Sequence, residues 1–186
     1  LLIFGLSLKK IVKMKKIISK NIRIRNKKFF KVGKGSIIDD YCYFSTKVKV
    51  GNYSHLAAGC HIAGGVKYTF KLGDFCSISA GVKLWCESNN YISDLPIVFK
   101  DCDKVKNDPI KGNIEIGNFC IIGSNSVIMP NNSIPDGVAI GALSFVPENF
   151  KFKSWSVYAG APIRFIKKRS KKKIIIKFNN FKNFYL

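Results

Sequence analysis

The sequence contains little acid and very little histidine. Of 186 residues, 11 are Asp or Glu and two are His, against 32 Lys or Arg, which gives a formal net charge of +21 at pH 7. Two histidines cannot supply the three imidazoles of a three-histidine zinc site. The six cysteines include no CxxC pair, so zinc-finger spacing is absent and no metal site is expected. No run approaches the roughly 20 apolar residues that a membrane span needs.

The positive charge lies mainly at the two ends of the chain. Residues 1–31 hold eleven Lys or Arg and no acid, residues 164–186 hold nine and no acid, and residues 32–163 hold twelve basic and eleven acidic residues. A basic groove across the body, and hence nucleic acid as a partner, is not expected. The tail KKKIIIKFNNFKNFYL interleaves apolar residues with Lys, so a tail that binds nucleic acid or, weakly, an anionic membrane surface stays an alternative.

Large apolar residues recur every six positions in three runs. They are Val32, Ile38, Phe44, Val50, Leu56 and Ile62, then Val66, Leu72, Ile78 and Leu84, then Ile110, Ile116, Ile122, Ile128, Ile134, Ile140 and Val146. A period of six fits neither an α-helix nor a meander of hairpins. It predicts an all-β fold, a parallel β-helix in which three short strands form one triangular coil of about 18 residues. We expect a basic extension over residues 1–31, the β-helix over 32–157, and a cap with a basic tail over 158–186.

The residues that flank these apolar positions are small. Gly or Ala follows many of them, which suits a tight corner. Because strand side chains alternate between the two faces, the residue two positions earlier should also point inward, where space is limited. Four of the six cysteines occupy that position and are expected to be small buried hydrophobes, and free thiols fit a reducing cytoplasm. The inward set is Ser36, Cys42, Val48, Ser54, Cys60, Cys76, Val82, Cys120, Ser126, Val138 and Ser144.

Two segments interrupt the repeat. Residues 63–71 shift its phase, and residues 85–109, which include Cys86 and Cys102, leave it altogether. Long loops in a solenoid are usually functional, so the 85–109 loop is predicted to protrude and to contact a substrate. After Val146 the repeat ends, and residues 158–186 are predicted to form a cap followed by a basic helix or an extended tail.

A resemblance to a known family is carried by IGNFCIIGSNSVIMPNNSIPDGVAIGALSFV and by the later WSVYAGAPIRFIKKR. These segments resemble the C-terminal half of the hexapeptide-repeat acyltransferases. The stretches GNYSHLAAGCHIAGG and GDFCSISAGVKL, followed by a loop, look most like the sugar acetyltransferases of bacterial O-antigen and capsule gene clusters. The resemblance covers about residues 32–169 and implies left-handed coils.

The resemblance also implies an activity and an assembly. Its members are homotrimers with three active sites in grooves between subunits, where CoA lies along the later coils and the acceptor lies under the protruding loop. The implied reaction is direct transfer of an acetyl group from acetyl-CoA to a hydroxyl or amino group of a nucleotide-linked or glycan-precursor sugar, for surface polysaccharide. A non-catalytic β-helix scaffold is the alternative, whereas the zinc carbonic anhydrases that share this fold need three histidines.

Site residues follow from the same resemblance. The histidine of SHLAAG recurs in the group, so His55 is the candidate general base, a role that suits an imidazole near neutral pH. His61 is an alternative base or lines the acceptor site. Each precedes an inward apolar residue, so both should point outward, on adjacent faces of one coil. The loop residues Ser88, Asn89, Asn90 and Tyr91 resemble an SDDY-type stretch with Asn where Asp is common. They are candidates to bind the sugar, or they are turn residues.

Small residues on the late coils match the family's CoA contacts, which are largely made by the backbone. These are Gly123, Ser124, Gly141, Ala142, Ala159 and Gly160. Each glycine is equally explained as a corner, and a backbone N–H near Ser124 or Ala142 is placed to polarise the thioester oxygen. Arg164, Lys167 and Lys168 are candidate phosphate partners, or part of a solvated basic tail.

Overall fold

The computed structural model describes residues 15–95 and 106–185. Twenty-one short strands and one helix lie in this part of the chain. In chain order the strands are β1 Ile17–Ile18, β2 Arg23–Ile24, β3 Phe30–Val32, β4 Ile37–Ile38, β5 Tyr43–Phe44, β6 Lys47–Val50, β7 His55–Leu56, β8 His61–Ala63, β9 Thr69–Leu72, β10 Ser77–Ile78, β11 Lys83–Trp85, β12 Glu87–Ser88, β13 Ile110–Lys111, β14 Ile114–Ile116, β15 Ile121–Ile122, β16 Val127–Ile128, β17 Asn132–Ile134, β18 Ala139–Ile140, β19 Phe145–Val146, β20 Ser156–Ala159 and β21 Arg164–Lys168. Helix α1 spans Lys171–Tyr185.

Successive strands pass to three parallel sheets in turn. Sheet A contains β1, β4, β7, β10, β15, β18 and β20, with β21 added antiparallel at its end. Sheet B contains β2, β5, β8, β11, β16 and β19, and sheet C contains β3, β6, β9, β14 and β17. Each strand pairs with the strand one coil above, so the backbone groups of one coil are satisfied by the next. The fold is the left-handed parallel β-helix, with about seven coils.

The core is a stack of inward side chains. The predicted large residues Leu56, Ile78 and Ile122 lie in register on successive strands of sheet A, and each is fully buried. The prediction for the small inward set is also confirmed, since every member is at most 3% exposed. Five cysteines are free and buried, while Cys102 lies outside the described residues. Burial raises the pKa of the Cys86 thiol to about 11, so this group is a packing residue rather than a nucleophile.

The count of six misplaces several positions. The first coil among the described residues begins at Ile17, so residues 17–31, expected in the basic extension, belong to the β-helix. A 3-10 turn at Lys27–Phe29 inserts two residues, which puts the inward Ile18 and Ile24 out of phase with the count back from Val32.

Two other positions in the count also differ. Val66 is 38% exposed in a turn, whereas Phe70, which the count does not include, is fully buried. Ile110 lies in β13, which pairs antiparallel with β12. The described parts of the interrupting segment, residues 87–95 and 106–111, are here called the hairpin, and residues 96–105 of the predicted loop lie outside the described residues. Cys86 belongs to the core and not to the loop. The count fails wherever an inserted turn changes the length of a coil.

The corner between sheets C and A carries a column of aromatic rings. Tyr53, Phe75 and Phe119 stack at ring distances of 5.1 and 5.7 Å, and Trp155 lies 6.0 Å from Phe119. These four residues, the aromatic ladder, all have φ between 52 and 59°. Such a left-handed backbone is uncommon for bulky residues. Neighbouring Asp and Asn side chains stabilise this conformation, because each accepts the backbone N–H of the equivalent residue one coil below. Asp74 Oδ1 accepts the N–H of Asn52 at 2.7 Å, and Asn118 Oδ1 accepts the N–H of Asp74 at 2.8 Å.

Helix α1 lies on the aromatic ladder. The ring of Phe178 is 5.0 Å from Phe75 and 5.3 Å from Phe119, and Phe181 is 5.4 Å from Tyr53. The tail is therefore a docked helix, the first of the two forms that the sequence predicts. Within residues 15–95 and 106–185, no helix is long and apolar enough to cross a membrane.

Candidate functional site

His55 lies on the outer face of sheet A, in β7, and contacts a carboxylate. Its Nε2 is 2.8 Å from Oδ2 of Asp39, and the two side chains are 41% and 42% exposed. Asp39 follows β4, one coil below, so the pair joins two coils. A carboxylate at this distance fixes the orientation of an imidazole ring. The pair can accept and hold a proton from a substrate that reaches this face.

His61 lies on the outer face of sheet B, in β8, so the two histidines occupy adjacent faces of one coil, as the sequence predicts. Lys83 is its register partner one coil above, and the ring of Tyr43 lies 6.0 Å away on the coil below. Burial and the positive charge of Lys83 lower the pKa of His61. This imidazole is therefore suited to hydrogen bonding in its neutral form.

The four predicted loop residues lie at the base of the hairpin. Ser88 Oγ is 3.2 Å from Tyr91 Oη, and Asn89 and Tyr91 are exposed. Asn90 Oδ1 accepts the N–H of Ile92 at 3.1 Å, so this side chain acts as a turn residue. Asn89 and Tyr91 are therefore accessible to an acceptor, Ser88 is half-buried and bonded to Tyr91, and Asn90 serves within the hairpin.

The carboxylate of Asp94 ties the hairpin together. It accepts the N–H of Asn90 at 2.9 Å and the N–H of Asp108 at 2.7 Å. Asp94 is a residue that the sequence reasoning missed. Its signal is the Asn-x-x-x-Asp spacing with Asn90, which is typical of a capped turn.

The three sheets are the sides of a triangular prism. The small residues of the late coils lie on the edge of this prism between sheets A and B. The C-terminal ends of β15, β18 and β20 form this small-residue corner, which consists of Gly123, Ser124, Gly141, Ala142, Ala159 and Gly160. A Cβ on Gly123 would lie 2.3 Å from the backbone N of Ala142, so stacking alone requires glycine there. At Gly141 the nearest atom to an added Cβ is the Ala159 methyl at 3.0 Å.

Two backbone donors on this corner are open. Within residues 15–95 and 106–185, the N–H groups of Ser124 and Ala142 donate no hydrogen bond, whereas the carbonyl of Ser124 accepts the N–H of Leu143 at 2.9 Å. A free N–H on a corner without bulky side chains can bind an amide or a thioester oxygen of an extended ligand.

The three predicted phosphate partners do not lie together. Arg164 pairs with Ala159 in the antiparallel β20–β21 register and so adjoins the small-residue corner. Lys167 and Lys168 pair with Val157 and Ser156, near the opposite edge of sheet A. Lys168 lines a cavity of about 620 Å³ with Trp155, Tyr158, Phe165 and Arg169, away from that corner.

Arg169 is a second residue that the sequence reasoning missed. Its guanidinium donates to the carbonyl of Phe119 at 2.5 Å and to that of Gly137 at 3.0 Å. Burial lowers its pKa. Arg169 therefore closes the last coils rather than binding a ligand.

The hairpin and the small-residue corner lie on different edges of the prism. The hairpin leaves the edge between sheets B and C, and sheet B separates it from the small-residue corner. Three large apolar side chains near that corner are exposed: Ile121 by 43%, Leu143 by 71% and Phe145 by 37%. The two parts of the candidate site therefore lie on different edges of one chain, and the corner has an apolar rim.

Comparison with known proteins places the chain in a family, although no protein-family model matches it. It is 32% identical over 170 residues to the dTDP-4-amino-4,6-dideoxy-D-glucose acyltransferase of Escherichia coli, and the match covers 84% of both chains. A structure of a variant of AntD, an N-acyltransferase from Bacillus cereus, in complex with dTDP and coenzyme A superposes with a TM-score of 0.82. It is 32% identical, with 90% of this chain and 89% of that one covered.

A more distant structure agrees in fold alone. It is a hexapeptide-repeat-containing acetyltransferase from Vibrio cholerae, 18% identical, with a TM-score of 0.58 over 78% of this chain and 77% of that one. The hexapeptide repeat and the match to the Escherichia coli enzyme over 84% of both chains indicate the same family. The chain belongs to the hexapeptide-repeat acyltransferases.

Proposed function

We propose that this protein transfers an acyl group, acetyl in the simplest case, from its CoA thioester to the amino group of a dTDP-linked amino sugar. The observation that carries the proposal is the 32% identity to the Escherichia coli dTDP-amino-sugar acyltransferase over 84% of both chains. Structures of AntD variants, with CoA and either dTDP or dTDP-4-amino-4,6-dideoxyglucose bound, support the same donor and acceptor classes. An amine is therefore favoured over a hydroxyl as the acceptor.

The reaction is a direct transfer between two substrates. The sugar nitrogen attacks the thioester carbonyl carbon, a C–N bond forms, the C–S bond breaks, and CoA leaves as the thiolate, which takes up the proton that the nitrogen gives up. The attacking nitrogen loses a proton in this sequence, and His55, oriented by Asp39, is the candidate to accept it. The free N–H groups on the small-residue corner are candidates to stabilise the oxyanion. A neutral amine is a better nucleophile than a hydroxyl, so the base contributes less here than in an O-acetyltransferase.

The active form in this proposal is a homotrimer. Ser88 and Tyr91 on one edge and the small-residue corner on another are brought together when the hairpin of one subunit meets the corner of its neighbour. The exposed Ile121, Leu143 and Phe145 support this arrangement, because an interface would cover them. We further propose a cytoplasmic enzyme, with free buried thiols in support, whose product supplies surface polysaccharide.

The test is a thiol-release assay with acetyl-CoA and two acceptors, dTDP-4-amino-4,6-dideoxyglucose and dTDP-glucose. We expect CoA release with the amino sugar and little with the hydroxyl analogue, and mass spectrometry should find an amide. Calorimetry should detect CoA binding to the protein alone. Absence of CoA binding would contradict the acyltransferase proposal, whereas transfer to dTDP-glucose alone would contradict only the amine acceptor. 3-Hydroxybutyryl-CoA, which is bound in another AntD structure, tests a longer donor.

A further inference from the structure

Helix α1 presents a fixed outer face, because its inner face is anchored. Phe178 and Phe181 contact three rings of the aromatic ladder at centroid distances of 5.0 to 5.6 Å. With about 100° of rotation per residue, the side of the helix that is turned away from Phe178 is the outer face of α1. It carries Lys172, Lys173, Ile176, Asn179, Asn180, Asn183 and Phe184, with Lys177 at its margin, and these eight residues are all exposed.

The outer face combines positive charge with exposed apolar groups. Ile176 is 50% exposed and Phe184 is 78% exposed, beside three lysines. Residues 164–186 contain no acid. Among the described residues, no Lys or Arg lies within 4.0 Å of an acidic side chain, so no described acid neutralises these lysines.

This combination favours a lipid surface over a nucleic acid. A duplex would neutralise the lysines but leave Ile176 and Phe184 without a partner. An anionic bilayer accepts both, since the apolar groups enter the boundary between head groups and acyl chains while the lysine ammonium groups remain among the phosphates. The nearly neutral body of the chain also offers no basic groove for a duplex.

We propose that the outer face of α1 docks on an anionic phospholipid bilayer. The contact is peripheral, with the helix axis parallel to the bilayer surface. Because α1 is held along the C–A edge of the prism by the aromatic ladder, the bound enzyme has one orientation. Docking of this face on a bilayer does not require the acyltransferase activity.

The experiment is vesicle co-sedimentation with the full chain. Vesicles of phosphatidylcholine alone are compared with vesicles that contain about 30% phosphatidylglycerol. We expect binding to the anionic vesicles only. The triple variant Lys172→Gln, Lys173→Gln, Lys177→Gln should partition about a hundredfold more weakly, at roughly fivefold per lysine. The double variant Ile176→Gln, Phe184→Gln should lose about tenfold, because the apolar contribution is removed.

A matched control removes the same charge elsewhere. Lys31, Lys49 and Lys71 lie in register on the exposed face of sheet C, so their triple Gln variant should bind vesicles nearly as the wild type does. Three results would overturn the proposal. They are equal weakening in this control, full displacement by duplex DNA with no effect of the Ile176 and Phe184 double variant, and a change of oligomeric state by light scattering when the α1 lysines are removed. The last would assign the face to a second copy of this chain.

Discussion

The glycines of the small-residue corner have two separable roles, packing between coils and access for a ligand. Gly123→Ala places a methyl 2.3 Å from a backbone nitrogen that cannot move aside. We expect it to lower the free energy of unfolding by about 2 kcal/mol or more. Gly141→Ala meets only a neighbouring methyl at 3.0 Å and should cost less than about 1 kcal/mol. Urea denaturation of the two variants checks the difference.

The same pair of variants separates packing from cofactor binding. If the pantetheine arm of CoA passes this corner, Gly141→Ala should raise KM for acetyl-CoA several-fold while the protein stays folded. An unchanged KM would show that Gly141 is only a corner.

His55 and Asp39 form the next residue-scale prediction. Removing a general base typically costs about a hundredfold or more in rate, so His55→Gln should lower kcat on that order, and less for a well-activated amine. Asp39 acts through the imidazole, so Asp39→Asn should lower kcat in the same direction with KM and thermal stability nearly unchanged. Asp40→Asn is the matched control, because Asp40 hydrogen-bonds Ser19 and Asn21 rather than the histidine. Full activity of His55→Gln would remove the base assignment and leave the fold and donor proposals intact.

His61 offers a prediction that does not depend on activity. Burial and Lys83 both disfavour the imidazolium, so its pKa should fall below 6.5 in a proton NMR titration. Lys83→Gln removes one of the two causes and should raise that pKa toward the ordinary value. A pKa that does not respond to Lys83→Gln would assign the shift to burial alone.

At the scale of elements, α1 is part of the folded body rather than a dispensable tail. Phe178→Ala removes ring contacts with Phe75 and Phe119 and should cost about 2 kcal/mol in the free energy of unfolding. Phe184 is 78% exposed on the same helix, so Phe184→Ala should change stability by less than about 0.5 kcal/mol. Equal stability of the two variants in denaturant titrations would show that α1 is not docked in solution.

The elements differ in how far the sequence predicts them. A stacked coil demands a large inward residue every six positions, so Leu56, Ile78 and Ile122 could be located by counting. The first coil could not, because the Lys27–Phe29 turn changes the phase where the core residues are few.

Side-chain contacts between coils could not be located by counting residues in sixes. Asp39 and His55 are 16 residues apart, which approximates one coil, but the contact depends on which rotamer each side chain adopts. The docking of α1 arises from GNY, GDF and GNF corners that stack only once the coils exist.

The whole molecule presents its candidate chemistry on separate edges. The hairpin carries Ser88 and Tyr91, the small-residue corner carries Ala142, and sheet B lies between them. If the site forms within one chain, the hairpin and the small-residue corner of that chain must contact the same substrates from the two edges of sheet B. If it forms between chains, each interface takes the hairpin from one subunit and the corner from the other. The two cases differ in what a mixture of defective subunits can do.

Subunit mixing distinguishes them. One variant, Ser88→Ala with Tyr91→Ala, disables the hairpin, and the other, Ala142→Trp, blocks the corner, where the residue is exposed and a large side chain does not enter the core. If the protein is the proposed homotrimer, each variant expressed alone should be nearly inactive. Co-expression with random assortment should restore roughly a quarter of the sites, because one subunit in two supplies an intact hairpin and one neighbour in two an intact corner. Purified single variants mixed without exchange are the control. Heterotrimers with no recovered thiol release would place the whole site within one chain, and the exposed Leu143 and Phe145 would then need another partner.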